Sequence, residues 1–169
     1  MAKRAFHANN WTPTATADGA AHANATYQAL KGGSTTQLIN IVEVSISGLA
    51  AASSIGIFQL ARASTIETTP TALASPNSDG PMHPSTAALA APAVAFVAAA
   101  AGPQRSAVTT DAKLELGLNA FGGIYRWQAA PGEEWGQIGN TASLGESVLS
   151  NFTGGGTGAV SSHIIYEPF

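Results

Sequence analysis

Two stretches of this chain alternate apolar and polar residues in the rhythm of a half-buried strand. In LINIVEVSIS, Val42, Val44 and Ile46 fall on one side and Glu43, Ser45 and Ser47 on the other. In KLELGLN, Leu114, Leu116 and Leu118 alternate with Glu115, Gly117 and Asn119. Successive side chains of an extended strand point to opposite faces, so a period of two means one face toward a core and one toward water. Weaker alternation marks Thr26–Lys31, Ile57–Arg62, Ala93–Ala98, Ile124–Ala129, Leu144–Phe152 and Val160–Tyr166. About eight strands are expected.

Turn residues separate these runs: Gly32-Gly33, Gly48, Pro76 to Pro84, Gly102-Pro103, Gly122-Gly123, Pro131-Gly132, Gly139-Asn140 and Gly154 to Gly158. Short strands with such punctuation predict an all-β sandwich or barrel; of the two, a sandwich of about eight strands in jelly-roll form is the expected architecture. One short helix is expected, capped by Ser85, running through TAALAA and stopped by Pro92. The 169 residues suit a single domain. Residues 1–24 show no sustained period and are expected to form an extended N-terminal arm, with the sandwich spanning 25–169. Phe6 and Trp11 are large apolar groups in this otherwise small and polar arm, which suggests that it docks on its own domain or on a neighbour; they are expected to act as anchors on a neighbour. Lys3 and Arg4 would add a weak, salt-sensitive attraction.

Charged residues make up only 10% of the chain, against roughly 25% in an average soluble domain. Either an uncharged Ser/Thr/Asn/Gly surface faces water, or partners cover much of the surface. The net charge of −3 and the lack of a basic block leave no cationic stripe for phosphates, so no nucleic-acid binding is expected. The absence of cysteine rules out disulfides and thiolate metal sites. No membrane span is expected, because the alanine-rich run from Ala87 to Ala101 is short and broken by Pro92. The segment MAKRAFHANN has no apolar run, so no secretory signal is expected there.

The search for chemistry finds little. There is no GxSxG elbow, and GGGTG at Gly154–Gly158 lacks the lysine of a phosphate loop. The four histidines, His7, His22, His83 and His163, never fall at i, i+2 or i, i+4 spacing, so no metal or other cofactor is expected. Glu133 and Glu134 are adjacent, and on a strand they would point to opposite faces rather than flank one glycosidic bond. Tyr125 and Trp127 share a strand face, which suits either core aromatics or a sugar-stacking platform. The expectation is a non-enzyme without catalytic residues.

One stretch stands apart. SPNSDGPMHPSTAALAAP, Ser75 to Pro92, carries four prolines, each of which fixes φ and removes a donor. It is expected to stay out of the regular ladder as a shaped surface feature, with Pro81, Met82 and His83 near its tip contacting a partner. The alternative is a crossover packed on its own sheet.

The segments TYQALKGGSTTQLINIVEV, FQLARASTIETTPTALASPNSDGPMHPSTAALAAP, FGGIYRWQAAPGEEW and SHIIYEP resemble small proteins encoded among the head and structural genes of tailed bacteriophages and related prophages. The resemblance runs from about Thr26 to Pro168. It implies a virion structural protein, most like a capsid decoration (cement) protein on the outer capsid surface, made in the host cytoplasm. Its implied partners are the major capsid protein and its own copies, as a dimer or trimer. No active-site residues carry over, because that role has none. A glycan-binding or adhesin-like sandwich of a phage or surface structure shares most of these features and stays open as the alternative.

Overall fold

The structure is a computed structural model and describes residues 5–11, 26–32, 34–53, 55–62, 71–72, 80–82, 94–97, 112–138, 146–151 and 160–168. These are all-β, with no helix among them. The strands are β1 (Phe6–Trp11), β2 (Thr26–Lys31), β3 (Leu38–Gly48), β4 (Ile55–Arg62), β5 (Thr71–Ala72), β6 (Gly80–Pro81), β7 (Val94–Val97), β8 (Ala112–Asn119), β9 (Ile124–Gln128), β10 (Trp135–Ile138), β11 (Glu146–Asn151) and β12 (Val160–Pro168). The helical turn expected after Ser85 lies outside the described residues.

An antiparallel sheet runs in the order β10–β3–β12–β1–β6, with β9 also paired to β3. A second set of antiparallel ladders runs β5–β7–β2–β11–β4–β8. The first strand is the largest departure from the sequence reading. Residues 6–11, expected in an extended arm, form β1 and pair along their whole length with β12. Phe6 and Ala8 are buried, while His7 and Asn9 are only partly so. The alternation was present, but with alanine at the second buried position it was too faint to read as a strand.

β3 departs from simple alternation. Ile39 and Ile41 are buried at odd positions, and Val44 and Ile46 at even ones. The phase changes at Val42, where the ladder with β12 slips: Ile165 sits opposite Glu43, and Tyr166 opposite Ile41. Val42 is the extra residue of a β-bulge, which bends the strand and restarts its inside–outside rhythm. It is therefore half-buried rather than a full core residue as the alternation predicted.

The same position splits the neighbouring strand. β9 pairs with the second half of β3, and β10 with the first. Residues 129–134 leave the sheet between them, where Ala129 N–H donates to the Val42 carbonyl at 2.9 Å. Ala130-Pro131-Gly132-Glu133 forms a tight turn, with Glu133 N–H donating to the Ala130 carbonyl at 2.9 Å. Gly132 sits at φ 88°, the left-handed position that a type II turn demands after proline.

At the other end of β3 the turn after β8 docks by backbone bonds. Gly48 N–H donates to Gly123 O at 2.8 Å, and Ala50 N–H to Ala120 O at 2.9 Å. A Cβ at Gly48 would collide with the Ala120 backbone, so this approach requires glycine.

The core joins Phe6, Ile39, Ile41, Val44, Ile46, Trp135, Ile164 and Tyr166 of the first sheet to Leu30, Leu60, Leu116 and Leu118 of the other ladders. Phe6 stacks on Tyr166 with ring centroids 6.0 Å apart. Buried Gln137 on β10 donates from Nε2 to the Leu30 carbonyl on β2 at 3.0 Å, tying one set of strands to the other. Leu116 and Leu118 are buried and Leu114 packs against the core, as the KLELGLN pattern predicted. Leu116→Ala is expected to cost about 2–5 kcal/mol, the usual range for a fully buried leucine. Urea unfolding checks this, and a loss below about 0.5 kcal/mol would contradict the burial.

Candidate functional site

β1 positions two features: the edge of the sheet, and half of its outer face. At the edge, Phe6 pairs with Pro81 and His7 with Gly80. Met82 N–H then donates to the Ala5 carbonyl at 2.9 Å. The expectation that the proline-rich stretch stays out of the ladder therefore fails at Gly80–Pro81, though only at an edge. Proline is tolerated there because a missing N–H costs no ladder bond on the open side. The Met82 side chain remains 50% exposed.

The residues expected to contact a partner are thus scattered in fate. Phe6 is 1% exposed and belongs to the protein's own core, so it is no free anchor. Trp11 is placed by its backbone opposite Ser161. Pro81 lies in the edge strand and Met82 is displayed beside it. Lys3, Arg4 and His83 lie outside the described residues.

The outer face of the sheet is read from its registers. One row runs Gln128, Glu43, Ile165, His7, and the next runs Arg126, Ser45, His163, Asn9. Arg126 forks onto Glu43 with Nε to Oε1 at 2.8 Å and Nη2 to Oε2 at 2.7 Å. These bonds, and then the carboxylate charge, raise the Arg126 pKa. Ser47 and Ser161 hydroxyls bond each other at 2.6 Å. The His7 and His163 rings meet edge to face at 5.8 Å, and Asn9 Nδ2 bonds His7 Nδ1 at 3.1 Å. His163 Nε2 is buried without a hydrogen-bond partner. Burial first, and the neighbouring His7 second, hold the His163 pKa below the ordinary imidazole value, against a smaller pull from Glu43.

Sequence spacing missed this histidine pair because its members come from opposite ends of the chain. Only the β1–β12 register brings them together, and no local signal encodes it. Among the described residues no three His, Asp or Glu side chains gather as a metal-binding group.

Tyr125 and Trp127 do share a face, opposite Ile46 and Val44 respectively, and both pack against the core. Both rings are half-buried rather than fully covered. Glu133 is exposed on the 129–134 turn, Glu134 is half-buried, and Trp135 is buried as β10 begins. Leu49, Phe121 and Ile124 are exposed where the β8–β9 turn meets the end of β3, with Ile124 80% open.

Neither a known family model nor any curated protein sequence matches the chain.

Phe6→Ala is expected to cost about 3–5 kcal/mol in the isolated protein, as large-to-small changes at buried aromatics do. Urea denaturation measures it. A change under about 1 kcal/mol would return Phe6 to the role of an anchor for another subunit.

Proposed function

We propose that the protein is a jelly-roll β-sandwich acting as a non-enzymatic capsid decoration protein. It cements neighbouring major-capsid-protein subunits on the outer surface of a phage head.

The strand order supports the fold. The sequence β1, β2, β3, β4 alternates between the two sets of ladders, then β8 and β9 switch back, and β11 and β12 switch again. The central pairings β1–β12–β3–β9 and β2–β11–β4–β8 follow the order expected of two interleaved Greek keys, which supports this reading. One buried cluster drawing on both sets, and the Gln137–Leu30 bond between them, fit two sheets stacked face to face.

The observation that carries the function is Met82. A large apolar side chain stands half-exposed on a backbone pinned by the β1–β6 ladder and the Met82–Ala5 bond. A crossover packed on its own sheet would bury such a residue. A pinned methionine instead offers an adaptable apolar contact at little ordering cost. The low charge of the chain suits a surface that partners cover. The resemblance of Thr26–Pro168 to phage structural proteins names the partner class. The inward packing of Tyr125 and Trp127 weighs against a glycan-binding reading, which needs the two rings displayed together.

The mechanism is linkage. A protein that binds the assembled lattice and not its free subunits stabilises the lattice by mass action, with no chemical step. Copies of the chain bound side by side would multiply that effect through avidity.

Replacing Met82 and His83 together with serine tests this. The melting temperature of the isolated protein should stay the same, while association with the particle, or with its own oligomer, weakens. A lowered melting temperature with association intact would assign the loop to the protein's own fold.

A further inference from the structure

The outer face of the sheet holds a device that the proposed lattice role does not use. We propose that the His7–His163 pair makes the seam between β1 and β12 an acid-sensitive latch. Protonation of the pair weakens the hold on the first strand, and with it the corner formed by Gly80, Pro81 and Met82.

The geometry argues against a charged pair. The two rings are neighbours across one ladder, at Ile165↔His7 and His163↔Asn9 in the register, and meet at 5.8 Å. His163 Nε2 is buried and has no acceptor for the proton an imidazolium would carry there. His7 Nδ1 is engaged by the Asn9 amide nitrogen at 3.1 Å, on the side of the ring contact with His163. Two imidazolium rings at this spacing would repel each other.

The surrounding charges do not relieve this. Among the described side chains of β1, uncharged Asn9 is the neighbour of His7 on this face. On β3, Glu43 and Ser45 face the pair across β12, but both Glu43 oxygens already accept from Arg126 of β9. Arg126 therefore offsets the one carboxylate that could have balanced a protonated histidine. Along β12 itself the outer-face neighbours of His163 are uncharged Ser161 and Ile165, with Glu167 further along the strand.

The sign follows from the direction of the His163 shift. Its pKa is lowered in the folded protein by burial and by His7, so the unfolded chain takes up this proton first. Stability is undiminished above the ordinary imidazole value of about 6.5 and falls as pH drops through it. The fall ends only below the folded-state pKa. Each proton bound preferentially by the open form lowers the closing equilibrium by up to about tenfold per pH unit.

The seam is where the strain acts. Among the described residues β6 is two residues long and pairs with β1 alone, so the hold on β6 depends on β1. Separation of β1 from β12 also withdraws Phe6 from Tyr166. The opening is thus a cooperative step rather than a side-chain adjustment.

Hydrogen exchange on the full chain, followed by mass spectrometry at about pH 7.5 and about pH 5 and corrected for intrinsic rates, tests the latch. Peptides covering 6–11 and 160–168 should lose more protection than those covering 112–128. His163→Gln should remove that difference, and His7→Gln should reduce it. Equal loss in both regions, or an unchanged difference in the His163→Gln protein, would overturn the proposal. If a variant does not fold, imidazole proton resonances of the unmodified protein decide: titration of His163 below the ordinary value supports the latch, and titration at or above it overturns it.

Discussion

One extra residue in β3 sets the geometry of the sheet. Ile39 and Ile41 precede Val42, Val44 and Ile46 follow it, and all four are buried although their positions differ in parity. A strand of unbroken period two cannot place both pairs inside. Without the bulge, two of these side chains would turn to the outer face. At about 1.5–3 kcal/mol per buried aliphatic side chain, that loss reaches several kcal/mol. It is comparable to the whole margin of about 5–15 kcal/mol by which a domain this size is stable. The bulge also decides the neighbouring strand. β9 and β10 are in effect one strand interrupted where Val42 bends away, so that Trp127 meets Val44 and Trp135 meets Ile41 on the same inward side.

The outer face is organised by hydrogen bonds between rows rather than by charge. With so few charged residues in the chain, Glu43 is nearly covered, and Arg126 reaches over it as a bidentate partner from the exposed strand. That fork gives orientation more than stability, because Arg126 itself is largely in water. The Ser47–Ser161 bond and the Asn9–His7 bond continue the polar surface toward β1. The weak point is His163, the one buried side-chain nitrogen among the described residues with nothing to bond. A cost of this kind is retained where it is harmless at the working pH or where its release is useful.

Much of this was legible in the sequence, and what was not has identifiable reasons. KLELGLN was read correctly because three leucines on one face leave no ambiguity of phase. VEVSIS was read correctly only after Val42, since a bulge is a property of two strands and cannot be seen in one. β1 escaped because FHANNW offers a single large apolar residue, and its stability comes from pairing with β12 rather than from its own pattern. Phe6 was consequently taken for an anchor on a neighbour, when its partner was Tyr166 near the far end of the same chain. The proline-rich stretch was rightly seen as special. Its two-residue ladder with β1 was not foreseen, because proline was weighed as a breaker of central strands and not as a residue of edges. The histidines were judged by local spacing, which is the right test for a metal on one strand and blind to a pair made by register.

The two edges of the sheet narrow how such a protein can meet a partner. An open edge presents unpaired N–H and C=O groups, and adding a strand to it is the simplest route to association. Here one edge ends in a two-residue strand closed by Pro81, which has no N–H to offer. The opposite edge is broken by the 129–134 excursion, which lifts Pro131-Gly132 out of the line between β9 and β10. Neither edge presents a long regular ladder. A partner of this sheet therefore has to be met by side chains, and among the described residues the exposed large apolar ones are Met82 at one edge, and Leu38, Leu49, Phe121 and Ile124 on β3, β9 and the turns beside them. Contact through side chains on a fixed frame favours a partner of fixed shape, because the frame cannot remodel to suit a variable one. That is the demand a regular protein lattice makes, and it is why a displayed Met82 counts for more in the proposed role than its own apolar area.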